Sequence, residues 1–358
     1  MEAWEEHDSC MHCYDIEKLG MESPRNMYNK TFLVQNSDTF PQEYSWAPKS
    51  LYFRFSNLCN FACRMCSTYS STWRKKLDML LWWSEEGIKQ FPQEELQKLF
   101  NKKFLEELDI IDIKWWEPFL HKQHYEFLEY LIRNNLSKNI ELKYSTNLSI
   151  LPGITKQWKE LLPNEYKSIL DIWEHFRRVT LRVSVEWYGK DNDYIRMGAD
   201  WKDIEDNIHI LQKVPYIGLS LTTTIQIDNL TFIPKLILFA THNNINLGIS
   251  SHNFVRKPEY YNIKILPESI KKYIERFYNI CKERYNISGK YTQNLDNIIT
   301  YMNSWDTDYA LLKEYVRCTK IIDDEYKQIR GFGDGKTGWQ TFNPIKVKIT
   351  PTGKIEKV

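Results

Sequence analysis

Residues 56–73 read SNLCNFACRMCSTYSSTW, with Cys59, Cys63 and Cys66 separated by three and then two residues. The stretch follows directly on LYFRFS (51–56), a short run of apolar, aromatic and alternating residues that reads as a β-strand. Five more such runs follow: LDIIDIK (108–114), IELKYS (140–145), VTLRVSV (179–185), LSLTTTIQI (219–227) and INLGIS (245–250). Helix-length segments separate them. Residues 121–135 put Tyr125, Leu128, Leu131 and Ile132 on one stripe, and 200–214 carry Ile204, Ile208 and Leu211 behind an Asp200 placed to cap the helix. Residues 231–244 form the next. Strands joined by crossover-length connections make a parallel sheet of βα units, either a partly closed barrel or a doubly wound sheet. A reactive loop at the C-terminal end of the first strand favours the barrel, where chemistry gathers at strand ends. The expected fold is α/β, a partial (β/α)6 TIM-like barrel over residues 48–262. A small cysteine-bearing segment (1–47) precedes it, and a mainly helical extension (263–358) ends in a hairpin, VKITPTGKIEKV.

The bulk numbers narrow the class. The 358 residues hold 48 Lys and Arg against 47 Asp and Glu, a balance without the field that draws in nucleic acid or an anionic membrane. The N-terminal MEAWEEHDSC lacks the basic-then-apolar layout of a secretory signal, and no apolar run approaches the ~20 residues of a spanning helix. Seven cysteines, odd in number and mostly clustered, point to metal ligation in a reducing compartment. The expectation is a cytoplasmic protein.

Three thiolates do not close a tetrahedral zinc site, which takes four ligands. The next cysteine is Cys281, and no histidine lies nearby to complete a set. Three suit a [4Fe–4S] cube, each binding one iron and leaving the fourth open. The alternative is a zinc or oxidised-thiol loop without catalysis.

CNFACRMC resembles the CxxxCxxC signature of the radical S-adenosylmethionine (radical SAM) superfamily. The resemblance implies that Cys59, Cys63 and Cys66 hold the cluster, whose open iron chelates SAM, and that SAM cleavage yields a 5′-deoxyadenosyl radical for hydrogen abstraction. Met65 matches a position near the adenine. IDIKWWEPF (111–119) stands where the family has GGEP, so Trp115, Trp116 and Glu117 fall at the SAM amino group. YSTNLS (144–149) resembles the TNG-type segment and places Asn147 near SAM. SVEWYGKDNDYIR (184–196) resembles a further strand-end stretch, giving Ser184 and Glu186 to the ribose and Arg196 to the SAM carboxylate. CMHCYDIEKLGMESPR (10–25) resembles a stretch found with twitch or SPASM-like auxiliary-cluster domains. That implies Cys10 and Cys13 as ligands of an auxiliary Fe–S cluster or zinc, with His7, His12, Cys281 or Cys318 as further donors. It also implies a peptide or peptide-like substrate. A reductant such as flavodoxin or ferredoxin completes the expected partners. The rival reading is a non-catalytic iron–sulfur or zinc scaffold, a degenerate family member. Cys281 reads as a core residue of an apolar helix face, and His121 and His124 as surface residues at a helix start.

One compositional feature bears on the site. Glycine and tryptophan both number 13 of 358, and glycine is far below its usual share of about 7%. Trp115, Trp116 and Trp187 stand where the resembling segments carry glycine. We hypothesise that these codons are read as glycine in the native host. Mass spectrometry of the natively expressed chain tests this, and a tryptic peptide with tryptophan at 115 and 116 rejects it.

Overall fold

A computed structural model describes residues 10–27, 30, 48–81, 92, 94, 98, 100–114, 117–155, 158–330, 347–349 and 355–357. Six strands form one sheet in the order β1 to β6: Ser50–Phe53, Ile110–Ile113, Glu141–Thr146, Arg178–Ser184, Ile217–Thr222 and Asn246–Gly248. Every neighbouring pair is parallel. The order never reverses, so there is no switch point of the kind a doubly wound sheet has. The sheet winds as a partial (β/α)6 TIM-like barrel.

Alternation along the strands explains how it is built. Ile111, Ile113, Leu142, Tyr144, Val179, Leu181 and Val183 are buried on one face, while the residues between them are half-buried or exposed. The buried face meets the helix Lys122–Arg133, whose Phe127 stacks on Phe53 at 5.8 Å between ring centroids. That helix buries Tyr125, Phe127, Leu128 and Leu131. The helix Trp201–Leu211 buries Ile204, Ile208 and Leu211, and Asp200 caps it by accepting from the Lys202 N–H at 3.0 Å.

His121 and His124 are a correction to the sequence reading, because neither lies on the surface. His124 is fully buried with Nε2 2.9 Å from the Tyr144 hydroxyl, and His121 is buried beside Ser56. Burial pushes His121 down to about 4 and His124 to about 3. Both are therefore neutral at pH 7, and folding strength from this pair falls as pH drops below about 6.5, where the unfolded imidazoles take up protons.

By its contacts the chain divides into two compact units: residues 38–223 with 239–248, which hold the sheet, and residues 1–37, 224–238 and 249–358. In the second unit the helices Met11–Lys18, Glu268–Arg284, Lys290–Met302 and Tyr309–Arg330 dominate. Four residues of CMHCYDIEKLGMESPR (10–25) form a local cluster there. Glu17 accepts from Arg25 at 2.5 Å and from the Ser23 hydroxyl, and Gly20 between them takes φ +71°. The terminal hairpin forms, with Val347–Ile349 antiparallel to Ile355–Lys357. Among the described residues no helix is long and apolar enough to cross a membrane.

Candidate functional site

The cysteine loop is held mainly by backbone carbonyls that it shares with distant chain. The Ala62 N–H donates to Met197 O (2.8 Å) and the Arg64 N–H to Ile195 O (2.9 Å), which lashes the loop to the segment after β4. The Arg64 side chain reaches the same segment, with Nε on Tyr194 O at 3.2 Å and the guanidinium 3.7 Å from the Tyr194 ring centroid. Gly198 makes the approach possible. At φ +108° a Cβ there would stand 2.9 Å from Asn60 O and 3.3 Å from Phe61 Cα. Only glycine fits both the backbone and the space. Gly198→Ala should cost about 1–3 kcal/mol and lower iron uptake on anaerobic reconstitution. Thermal unfolding and an iron assay check both, and unchanged loading would show that the loop tolerates the shift.

From the other side the loop is held by a buried ion pair. Arg74 Nε meets Asp78 Oδ1 at 2.8 Å with both side chains at 1% exposure or less, and Arg74 Nη1 donates to Cys63 O at 2.9 Å. Asp78 also accepts from the Thr68 hydroxyl at 2.8 Å. The Ser71 hydroxyl donates to Phe61 O.

Three strand ends close over the sulfurs. After β2, the Glu117 N–H donates to Leu58 O at 3.3 Å. After β3, the Asn147 amide donates to Asn60 Oδ1 at 2.9 Å and lies 4.0 Å from Cys59 Sγ. After β4, Glu186 and Arg196 pair at 2.7 Å, buried, and Arg196 Nη1 lies 3.9 Å from Cys63 Sγ. Glu186 further accepts from the Thr223 hydroxyl at 3.1 Å.

Charge at the thiols follows from this cage. Burial pushes Cys59 up to about 12. Cys63 is held low by a hydrogen bond from Cys66, helped by the Arg196 and Arg74 guanidiniums, and Cys66 is raised by the same bond and by burial.

Most residues named from the sequence gather here. Cys59, Cys63, Cys66, Met65, Glu117, Asn147, Ser184, Glu186 and Arg196 lie on the loop or at the ends of β2, β3 and β4. Trp115 and Trp116 lie outside the described residues. Trp187 is 5% exposed and stacked on Tyr188 at 4.3 Å, without the positive φ that would demand glycine. Trp158, not singled out by sequence, does take the left-handed conformation at φ +71°. Cys10 and Cys13 stand one turn apart at the start of the helix Met11–Lys18, while Cys281 and Cys318 are buried in their own helices. Among the described residues no three His, Cys, Asp or Glu are arranged around a single metal ion. The sequence reading missed Arg64, Arg74, Asp78 and Gly198. The signals were an Arg–Asp pair at i,i+4 in STWRKKLDML (71–80) and a glycine two residues past YIR.

No protein-family profile matches the chain, and no curated protein does. Among solved structures, native anSMEcpe with bound AdoMet is 15% identical with a TM-score of 0.42, over 66% of this chain and 62% of that one. Streptococcus suis SuiB bound to its precursor peptide SuiA is 11% identical with a TM-score of 0.40, over 80% of this chain and 56% of that one. SuiB bound to S-adenosylmethionine is 12% identical with a TM-score of 0.37. The chain thus spans less than two thirds of each of these proteins.

The donor set fits a three-cysteine cluster better than a lone ion. The three sulfurs share one loop, Cys63 Sγ lies beside a buried guanidinium, and among the described residues no fourth ligand joins them. The cage also keeps buried donors without a partner: Arg196 Nε and Asn192 Nδ2, the latter on the residue whose Oδ1 accepts from the Glu186 N–H. A buried donor without an acceptor costs about 1–3 kcal/mol. Two of them beside one ion pair suit a polar ligand.

Proposed function

We propose that the chain is a radical SAM enzyme. The observation that carries this reading is Arg196. It is a buried guanidinium that touches Cys63 Sγ with one nitrogen, pairs with Glu186 through a second and keeps a third without a partner. Cys59, Cys63 and Cys66 would hold a [4Fe–4S] cluster. When bound, it supplies the electron that splits SAM into methionine and a 5′-deoxyadenosyl radical, which takes a hydrogen atom from substrate.

The chain's own residues do the positioning. Arg196 offers a forked donor suited to a carboxylate such as that of SAM. Glu186 fixes the fork and presents acceptors to hydroxyls, and Ser184 lies two residues before it at the end of β4. Asn147 locks the β3 end onto the cysteine loop through Asn60. Glu117 acts as a brace. It accepts from the Thr146 hydroxyl at 2.8 and 2.9 Å and from the Asn147 N–H at 2.8 Å. A low-potential protein such as flavodoxin or ferredoxin would deliver the electron.

The expected result is about four irons and four sulfides per chain after anaerobic reconstitution, with 5′-deoxyadenosine released on adding dithionite and SAM. Replacing Cys59, Cys63 and Cys66 with alanine should abolish both. An iron-loaded protein that releases no 5′-deoxyadenosine would establish the non-catalytic scaffold instead.

A further inference from the structure

The face of the sheet opposite the helix Lys122–Arg133 departs from what a closed barrel requires. Barrel interiors are filled by branched apolar side chains. Here the laterally paired rows are polar. One runs Tyr52, Asp112, Lys143, Thr180, Gly218, and the next Ser145, Arg182, Ser220, Asn246. A third, Ser184 and Thr222, brings the same face up to the strand ends that carry the cysteine site.

The charges on this face are uneven. Arg54, Lys114, Lys143, Arg178 and Arg182 share it with two carboxylates, Asp112 and Glu141. The chain as a whole is balanced at 48 against 47, so the excess is local. Asp112 is bound by Arg182 at 2.5 Å and Lys114 at 2.8 Å, and Arg182 Nε also donates to Ser145 at 3.3 Å. Side-chain exposures of 16–30% leave these groups mostly buried but within reach of solvent. Gly218 leaves room for Arg178, since a Cβ there would meet Arg178 Nη2 at 3.1 Å.

Half-buried ion pairs are poor stabilisers compared with apolar residues of the same volume, so stability does not account for this row. A ligand does. Strands lie about 4.8 Å apart, so cations on β1 through β4 spread over roughly 14 Å. That is wider than one carboxylate and suits several in series.

We propose that this face binds the substrate as an acidic peptide segment, with Arg182 as the central anchor and Asp112 as the internal group that an incoming carboxylate displaces. The proposal rests on the radical SAM reading for why a substrate must reach the strand ends, but its test does not. Fluorescently labelled hexaglutamate and hexalysine peptides are titrated against the anaerobically reconstituted full chain by anisotropy at low and raised salt. Hexaglutamate should bind, more weakly with salt, and hexalysine should not. Arg182→Met should weaken hexaglutamate binding about tenfold. Asp112→Asn, by removing the competing carboxylate, should strengthen it several-fold, a change that a purely structural ion pair would not give. No binding of hexaglutamate, equal binding of hexalysine, or insensitivity to Asp112→Asn overturns the proposal. SAM cleavage measured on the same sample separates this failure from failure of the enzyme reading.

Discussion

Arg74→Met should destabilise the sheet-bearing unit by about 3–5 kcal/mol and, on the proposed radical SAM reading, lower iron loading on reconstitution. The cost comes from what remains. Asp78 would keep its charge at 1% exposure with only Thr68 to answer it, and the Cys63 carbonyl would lose its side-chain donor, keeping the Cys66 N–H. The double variant Arg74→Met, Asp78→Leu removes both charges and should recover most of the stability, since an apolar pair of similar volume replaces a buried ion pair at little net cost. It should not recover iron loading, because the Cys63 carbonyl keeps only the Cys66 N–H at 3.0 Å and the loop has lost its tie to the Arg74 guanidinium. A double-mutant cycle by urea unfolding, with iron counted on each protein, separates the two effects. Equal stability of the double and single variants would refute the stranded charge as the cause.

Glu117→Gln should gain stability relative to the parent as pH rises into mild alkali. Burial lifts the Glu117 carboxyl from 4.5 to about 7, against the pull of its hydrogen bonds from Asn147, Thr146 and Phe119. A raised acid in the folded state holds its proton while the unfolded chain loses it. Its stabilisation is therefore whole below about pH 4.5, falls as pH rises, and is gone above about 7. The difference amounts to about 3 kcal/mol at pH 8. Glutamine shares the neutral charge of the protonated acid, but its Nε2 cannot accept, so the Phe119 or the Asn147 N–H loses its partner; the variant should fall below the parent near pH 5 and gain on it steadily towards pH 8. Taking the difference between the two proteins cancels His121 and His124, which titrate on the acid side in both. A difference that stays flat with pH would show that Glu117 is ionised throughout.

The strands were legible because their alternation is strong: Ile-Asp-Ile, Lys-Tyr-Ser and Leu-Arg-Val-Ser each put apolar residues on one face. Their ends were less so. The fifth was expected over 219–227 and ends at Thr222, where Thr223 turns its hydroxyl to Glu186. His121 and His124 were misplaced because a polar ring at a helix start looks solvated until the Tyr144 hydroxyl beneath it is known. The three cysteines stood out by their spacing together with their place directly after the first of six strands. Arg74, Asp78 and Gly198 gave weaker signals, because Arg74 acts on the Cys63 carbonyl, Asp78 on Arg74 and Thr68, and Gly198 on the room beside Asn60 O. Tryptophan is less uniform than composition implied. Trp187 is packed as an aromatic should be, whereas Trp158 holds a backbone conformation that glycine adopts without strain.

The lashing of residues 62 and 64 to 197 and 195 has a temporal consequence. These bonds join positions more than a hundred residues apart in sequence, and closures of such span come late in folding. On a ribosome, the three thiols emerge long before the segment that gathers them. On the radical SAM reading proposed above, iron offered to the growing chain meets scattered sulfurs, and assembly of the cluster waits for a chain already folded through its fourth strand.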